Sequence, residues 1–202
     1  MTNLKANLYS LAFLITRIKV SVYTLQETIE NQSELRKIKF SDNFLEKFEY
    51  PNLIIASISE YSIIQFCSFL DEYKKFNPSY IGTEYSERIK NVRLKNKYGL
   101  QRIQKWKDLY DYRNQVAAHN FDVKKKSILS SKQIIEYNIP DTIEEKTLFY
   151  NICLKISQNI FSEFEEIRES FDFDFNLTHK LKIKKNESFD LNEELKLINE
   201  NM

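Results

Sequence analysis

The first thirty residues carry an apolar stripe whose period limits what the chain can become. Leu4, Leu8, Leu11, Ile15, Ile18, Val22, Leu25 and Ile29 recur at steps of four and three. That is a 3.5-residue period held for nearly four heptads, the interval at which an α-helix returns side chains to one face. Such a stripe can be a dimer seam or the core face of one helix in a bundle. The bundle reading is favoured, because a stripe of this kind more often faces a core within its own domain.

The remainder is built to match. Only two Gly and three Pro occur in 202 residues, and sheet-rich folds need many turns that use them. Apolar residues at 42% and aromatics at 14% supply a core and exclude a disordered chain. The expected fold class is all-α, a bundle of about five helices over residues 1–170, with residues 171–202 as a tail or small appended element.

Residues 33–50 read as a connector with a short helix after Ser41, and Pro51 suits a first helical position. A second long helix spans 52–75, apolar around most of its circumference, and Asn77-Pro78 and Gly82 break it. Thr83 reads as the N-cap of a third helix that reaches about Lys97. Gly99 marks a break, and a fourth helix runs from Leu100 towards Ala118. Residues 120–140 are a polar loop. Asp141 with Glu144 looks like a capping box opening the last long helix, whose stripe is Phe149, Ile152, Cys153, Ile156, Ile160, Phe164 and Ile167. In the tail, Phe171, Phe173, Phe175, Leu177, Leu181 and Ile183 alternate with polar residues. That pattern suits a hairpin or edge strand followed by a disordered or helical end.

Cys67 and Cys153 fall inside apolar helical stretches and read as buried free thiols in a reducing compartment. No run of about 20 apolar residues is present, so no membrane helix is expected, and the N-terminal stretch reads as structure rather than a signal peptide. HExxH, Walker A, Gly-rich and Cys/His-cluster patterns are missing, which disfavours metal hydrolases, NTPases and dinucleotide enzymes. The expectation is a cytoplasmic protein without metal or cofactor.

Charge is segregated although the total is +1. Between Arg88 and Lys107 there are eight basic residues and no acidic one; extended to Lys126 the window holds twelve basic and three acidic residues. Candidate RNA contacts are Arg88, Arg93, Lys95, Lys97, Arg102, Lys105, Lys124, Lys125 and Lys126. A basic region of this density suits a phosphate backbone. A solvated helix face is the plainer alternative.

The basic window brackets residues 113–119. On a helix through this region Ile103, Trp106, Leu109, Tyr110, Val116 and Ala117 share one broad apolar face with Arg113 at its middle, and a charge there must find a partner. His119 would point roughly 120° away and lie about 9 Å further along the axis. For both side chains to serve one site, the helix must end before His119 or two chains must contribute. The plainer reading is that Arg, His and Asn cap a helix C-terminus, or that Arg113 pairs internally with an acid.

The tract from Tyr112 through Arg113, Asn114, Gln115, Val116, Ala117, Ala118 and His119 to Asn120 resembles the signature of the HEPN superfamily. There an Arg is followed by a polar residue, and four to six residues intervene before the His; here five intervene and the polar residue is Asn114. The resemblance is greatest to HEPN proteins of bacterial abortive-infection and toxin systems. The motif covers seven residues, and the all-α context extends the likeness as pattern to about 3–170. It implies metal-independent RNA cleavage in a homodimeric cleft, with Arg113, His119 and Asn114 as catalytic residues and a regulatory or antitoxin partner. A His can move the protons of 2′-hydroxyl attack, and an Arg fork can meet the charge that grows on the phosphoryl oxygens. In members modified by a nucleotidyltransferase antitoxin a Tyr follows the His by two; here Phe121 stands there, so that control is not expected. The alternative is a HEPN-like bundle without turnover that binds RNA, a nucleotide or a protein.

Overall fold

The 3.5-residue stripe forms helix α1, Asn3–Glu30, in which Leu4, Leu8, Leu11, Ile18, Val22 and Leu25 are buried. The computed structural model describes residues 3–38, 49–114 and 136–169, all within one unit, Met1–Phe171. Helix α2, Gln32–Leu35, is a single turn, and α3, Tyr50–Lys74, begins with Pro51 where no intrahelical N–H is needed. Asn77 caps the short α4, Pro78–Ile81, by accepting from the Tyr80 N–H at 3.1 Å. A 3-10 turn at Thr83–Tyr85 leads into α5, Ser86–Ile103. Helix α6, Leu109–Tyr112, precedes the long α7, Ile143–Glu163, and the final turn α8, Glu165–Arg168. α1 packs on α3 and α7, and α7 packs in turn on α5. Among the described residues no strand occurs, and the chain is an all-α bundle.

Aromatic rings knit the core. Phe66 of α3 stacks on Phe149 of α7 with centroids 4.0 Å apart, and Trp106 covers Phe149 at 5.4 Å. Phe164 meets Phe76 and Tyr85 edge-on, both at 5.9 Å. Each such ring contributes about 1.5–3 kcal/mol through burial alone. Two polar side chains inside tie elements together: Asn7 of α1 donates to the Glu72 carboxylate of α3 at 2.7 Å. Lys146, wholly buried, donates to the Pro140 and Asp141 carbonyl oxygens and so fastens the segment before α7 onto its first turns.

Several local expectations are corrected by packing. Gly99 does not break the chain; α5 continues through it to Ile103. A Cβ at residue 99 would stand 2.9 Å from Ile152 Cγ2, so this glycine lets α5 approach α7 closely. The expected helix from Leu100 to Ala118 is interrupted at 104–108, where Trp106 turns into the core. There Asp108 and Asn138 exchange two bonds: the Asp108 N–H donates to the Asn138 carbonyl, and the Asn138 N–H to Asp108 Oδ2 at 2.7 Å. Thr83 is not the N-cap of α5. It opens the 3-10 turn behind Gly82, whose φ of 135° suits a residue without Cβ.

The capping box lies one residue later than expected. Thr142 Oγ1 accepts from the Glu145 N–H, and the Glu145 carboxylate accepts from the Thr142 N–H. The short helix after Ser41, residues 115–118 of the fourth helix and the strand pattern of 171–183 lie outside the described residues. One further expectation changes: α1 and α3 are both long and apolar enough to cross a membrane by length and composition. In the bundle they direct buried apolar side chains into one shared core.

Candidate active site and basic helix face

Helix α6 is anchored to α3 by Leu109, which is buried, and whose carbonyl accepts from the Cys67 thiol at 3.7 Å. Tyr110 and Arg113, three residues apart and therefore on one side of the turn, then meet the C-terminal end of α3. Arg113 Nη1 donates to Asp71 Oδ2 at 2.8 Å. Asp71 Oδ1 accepts from the Tyr110 hydroxyl at 2.9 Å and from Lys74 Nζ at 3.0 Å. Lys74 Nζ also donates to the Tyr110 oxygen at 2.9 Å and sits 4.3 Å from the centre of its ring. Arg113 Cζ lies 4.9 Å from the same ring, and its Nε donates to Asn114 Oδ1 at 3.0 Å.

Two cations thus share one carboxylate around a phenol. Burial alone would raise the Asp71 carboxyl; the bonds from Lys74, Tyr110 and Arg113 outweigh it and hold the group below the ordinary carboxylate range. Burial raises the Tyr110 phenol, and the bond to that phenol, with Asp71 adding to it, raises the Lys74 ammonium. At neutral pH the cluster keeps its surplus positive charge. The Arg113 side chain is 25% exposed, and among the described residues its Nη2 has no hydrogen-bond partner. A planar fork with Nη2 free of described partners is suited to an anionic oxygen.

The sequence marked Arg113 as a charge in need of a partner but did not name Asp71 or Lys74. Those two, spaced i and i+3, look like an ordinary surface pair, and Tyr110 like part of an apolar stripe. Asn114 is exposed beside Arg113. His119, Lys124, Lys125 and Lys126 lie outside the described residues. Among the described residues no three His, Cys, Asp or Glu side chains converge to hold a metal ion. The thiols offer no nucleophile: burial pushes Cys67 up to about 12 and Cys153 well above its ordinary value.

The basic window divides by use. Arg88 spans α5 and α8, with Nη1 2.7 Å and Nη2 3.2 Å from the two Glu166 carboxylate oxygens, and also donates to the Glu163 carbonyl. Its guanidinium covers the Phe164 ring at 4.2 Å. Lys95 Nζ approaches Glu163 at 3.6 Å, and Arg93 donates to the Phe76 carbonyl at 3.3 Å. Arg102 Cζ lies over the Trp106 ring, 4.1 Å from its centre. Lys90, Lys97 and Lys105 are exposed and form no ion pair among the described residues.

Comparison with protein-family models, curated proteins and solved structures finds no match for this chain.

Proposed function

We propose that this chain is a metal-independent endoribonuclease of HEPN type, a cytoplasmic effector of bacterial defence or a toxin, working as a homodimer. The observation that carries the reading is the Arg113–Asp71 pair. The first residue of the motif is an arginine held in one orientation, with Nη2 left without a partner among the described residues. In the reaction the 2′-hydroxyl attacks the adjacent phosphorus, and the bond to the 5′ oxygen breaks. The products are a 2′,3′-cyclic phosphate and a 5′-hydroxyl. Arg113 meets the charge that develops on the phosphoryl oxygens, and His119 moves the proton of the attacking or the leaving oxygen. With one usable His per chain, two-His chemistry draws one from each protomer across a two-fold axis.

A second reading is favoured by the same geometry. Arg113 already has a carboxylate and an amide as partners, as an arginine serving only to lock α6 onto α3 would. The chain is then a bundle that binds RNA, a nucleotide or a protein partner without turnover.

Incubation of the purified protein with total RNA in EDTA separates the two. For the enzyme, His119→Ala lowers cleavage roughly 10²–10⁴-fold, the range for a general acid or base. Arg113→Ala costs at least about 10²-fold, with thermal melting followed in parallel. Light scattering at micromolar concentration reports a dimer. Cleavage that survives His119→Ala, or that needs added metal, leaves the binding module.

A further inference from the structure

The outer face of α5 holds the most exposed large apolar side chains among the described residues. Tyr98 is 84% and Leu94 61% exposed, one helical turn apart. At 100° per residue Lys90, Lys97 and Gln101 fall within about 60° of Leu94 on the same side. All three are exposed. The cations that face inward or along the flank are the ones already bound, Arg88 and Lys95 by Glu163 and Glu166. On the Leu94 side of Tyr98 they are not: Lys90 and Lys97, about 80° and 100° round the helix from Tyr98, form no ion pair among the described residues. Lys95, about 60° to its other side, is the lysine that Glu163 holds. One turn beyond Tyr98 comes Arg102, and past the end of α5 Lys105; the two border a hollow of about 420 Å³ walled by Trp106, Tyr137, Asn138 and Glu145.

An aromatic ring left in water beside two unneutralised lysines is poorly explained by folding, because neither its area nor their charge is used within the described bundle. Both are used by one kind of partner. A single nucleic-acid strand carries phosphates for the lysines and unpaired bases with flat faces for the ring. A duplex keeps its bases stacked inside and offers the ring nothing. An acidic protein would answer the charge but not call for an exposed ring. We propose that the outer face of α5 is a track for single-stranded RNA, with Tyr98 as the stacking platform for one base and Lys90 and Lys97 on the phosphates that run from it along the Leu94 side of the helix. The track rests on the RNA-directed reading above and names its substrate as unpaired RNA, but binding and cleavage stay separable.

Equilibrium binding is measured in the His119→Ala protein with EDTA, using a labelled twelve-nucleotide RNA free of self-complementarity and the blunt duplex of the same sequence. The single strand is expected to bind more tightly than the duplex. Tyr98→Ala should weaken single-strand binding roughly 5- to 100-fold, the scale of one lost base stack, while Tyr98→Phe retains it. A Lys90→Glu, Lys97→Glu double variant should weaken both forms of RNA and flatten the salt dependence. Melting temperature and light scattering are read on every variant. Equal affinity for duplex and single strand, or unchanged binding by Tyr98→Ala, overturns the track. A change of oligomeric state in Tyr98→Ala assigns the face to a second copy instead. Wild-type protein that binds as expected but does not cleave leaves the track standing and removes only the nuclease.

Discussion

Arg113 and Asp71, forty-two residues apart, meet at 2.8 Å and join the turn after α6 to the end of α3. The same carboxylate takes the Tyr110 hydroxyl and the Lys74 ammonium, so three donors depend on one residue that the motif does not contain. Asp71 thus fixes where the Arg113 guanidinium points.

Asp71→Asn keeps the shape and removes the charge. If Arg113 acts on phosphate, cleavage should fall roughly 10-fold or more, because small displacements of a catalytic group are costly. Stability should change little, since both partners are partly exposed and such pairs contribute about 0–1 kcal/mol. Unchanged cleavage with intact melting would mean that Arg113 needs no anchor. The acid limb gives a second readout. A carboxyl held below its ordinary 3.8 contributes stability above that value and loses it as pH falls through the lower folded value. The variant should lack that limb.

Lys146 is a buried cation whose described partners are two carbonyl oxygens, and burial lowers its pKa from the ordinary 10.5. The folded state therefore releases this proton at lower pH than the unfolded chain does. Stability should be constant below the folded value and rise with pH between it and 10.5. Urea unfolding at several alkaline pH values should show a rising contribution in wild type relative to Lys146→Met. Parallel profiles for the two proteins would contradict the buried-cation account.

Gly99→Ala tests the close approach of α5 and α7. In an open helix the change would stabilise by about 1 kcal/mol. Here the new methyl meets Ile152 Cγ2 on a stiff β-branched side chain, and the net effect should be destabilising by about 1–3 kcal/mol. Pairing it with Ile152→Ala should recover part of that loss in a double-mutant cycle. A raised melting temperature for Gly99→Ala alone would show that the helices have room.

Thr142→Ala should destabilise by about 1 kcal/mol through loss of the cap, whereas Asp141→Ala should stay within about 0.5 kcal/mol. Asp141 supplies a backbone N–H to Glu145, and alanine keeps that donor. Equal losses from the two substitutions would contradict the register of the box.

The long helices were legible because their cause is local. The 3.5-residue stripe, Pro51 at a first turn and Asn77-Pro78 at a stop depend on backbone geometry within a few residues, and α1 and α3 follow them. A single arginine on an apolar stripe likewise announced that a partner had to exist. Which partner it finds depends on how α6 docks on α3, and no spacing encodes the approach of residues 71 and 113. Gly99 shows the same division: locally a glycine reads as a helix stop, but the space against Ile152 makes it a contact between two helices. The interruption at 104–108 was hidden for a related reason, since the burial of Trp106 over Phe149 and the Asp108–Asn138 exchange outweigh continuing the helix. Local periodicity determined which segments are helical; where they end and what their charges meet was decided by the neighbours that tertiary packing brings within a few ångströms.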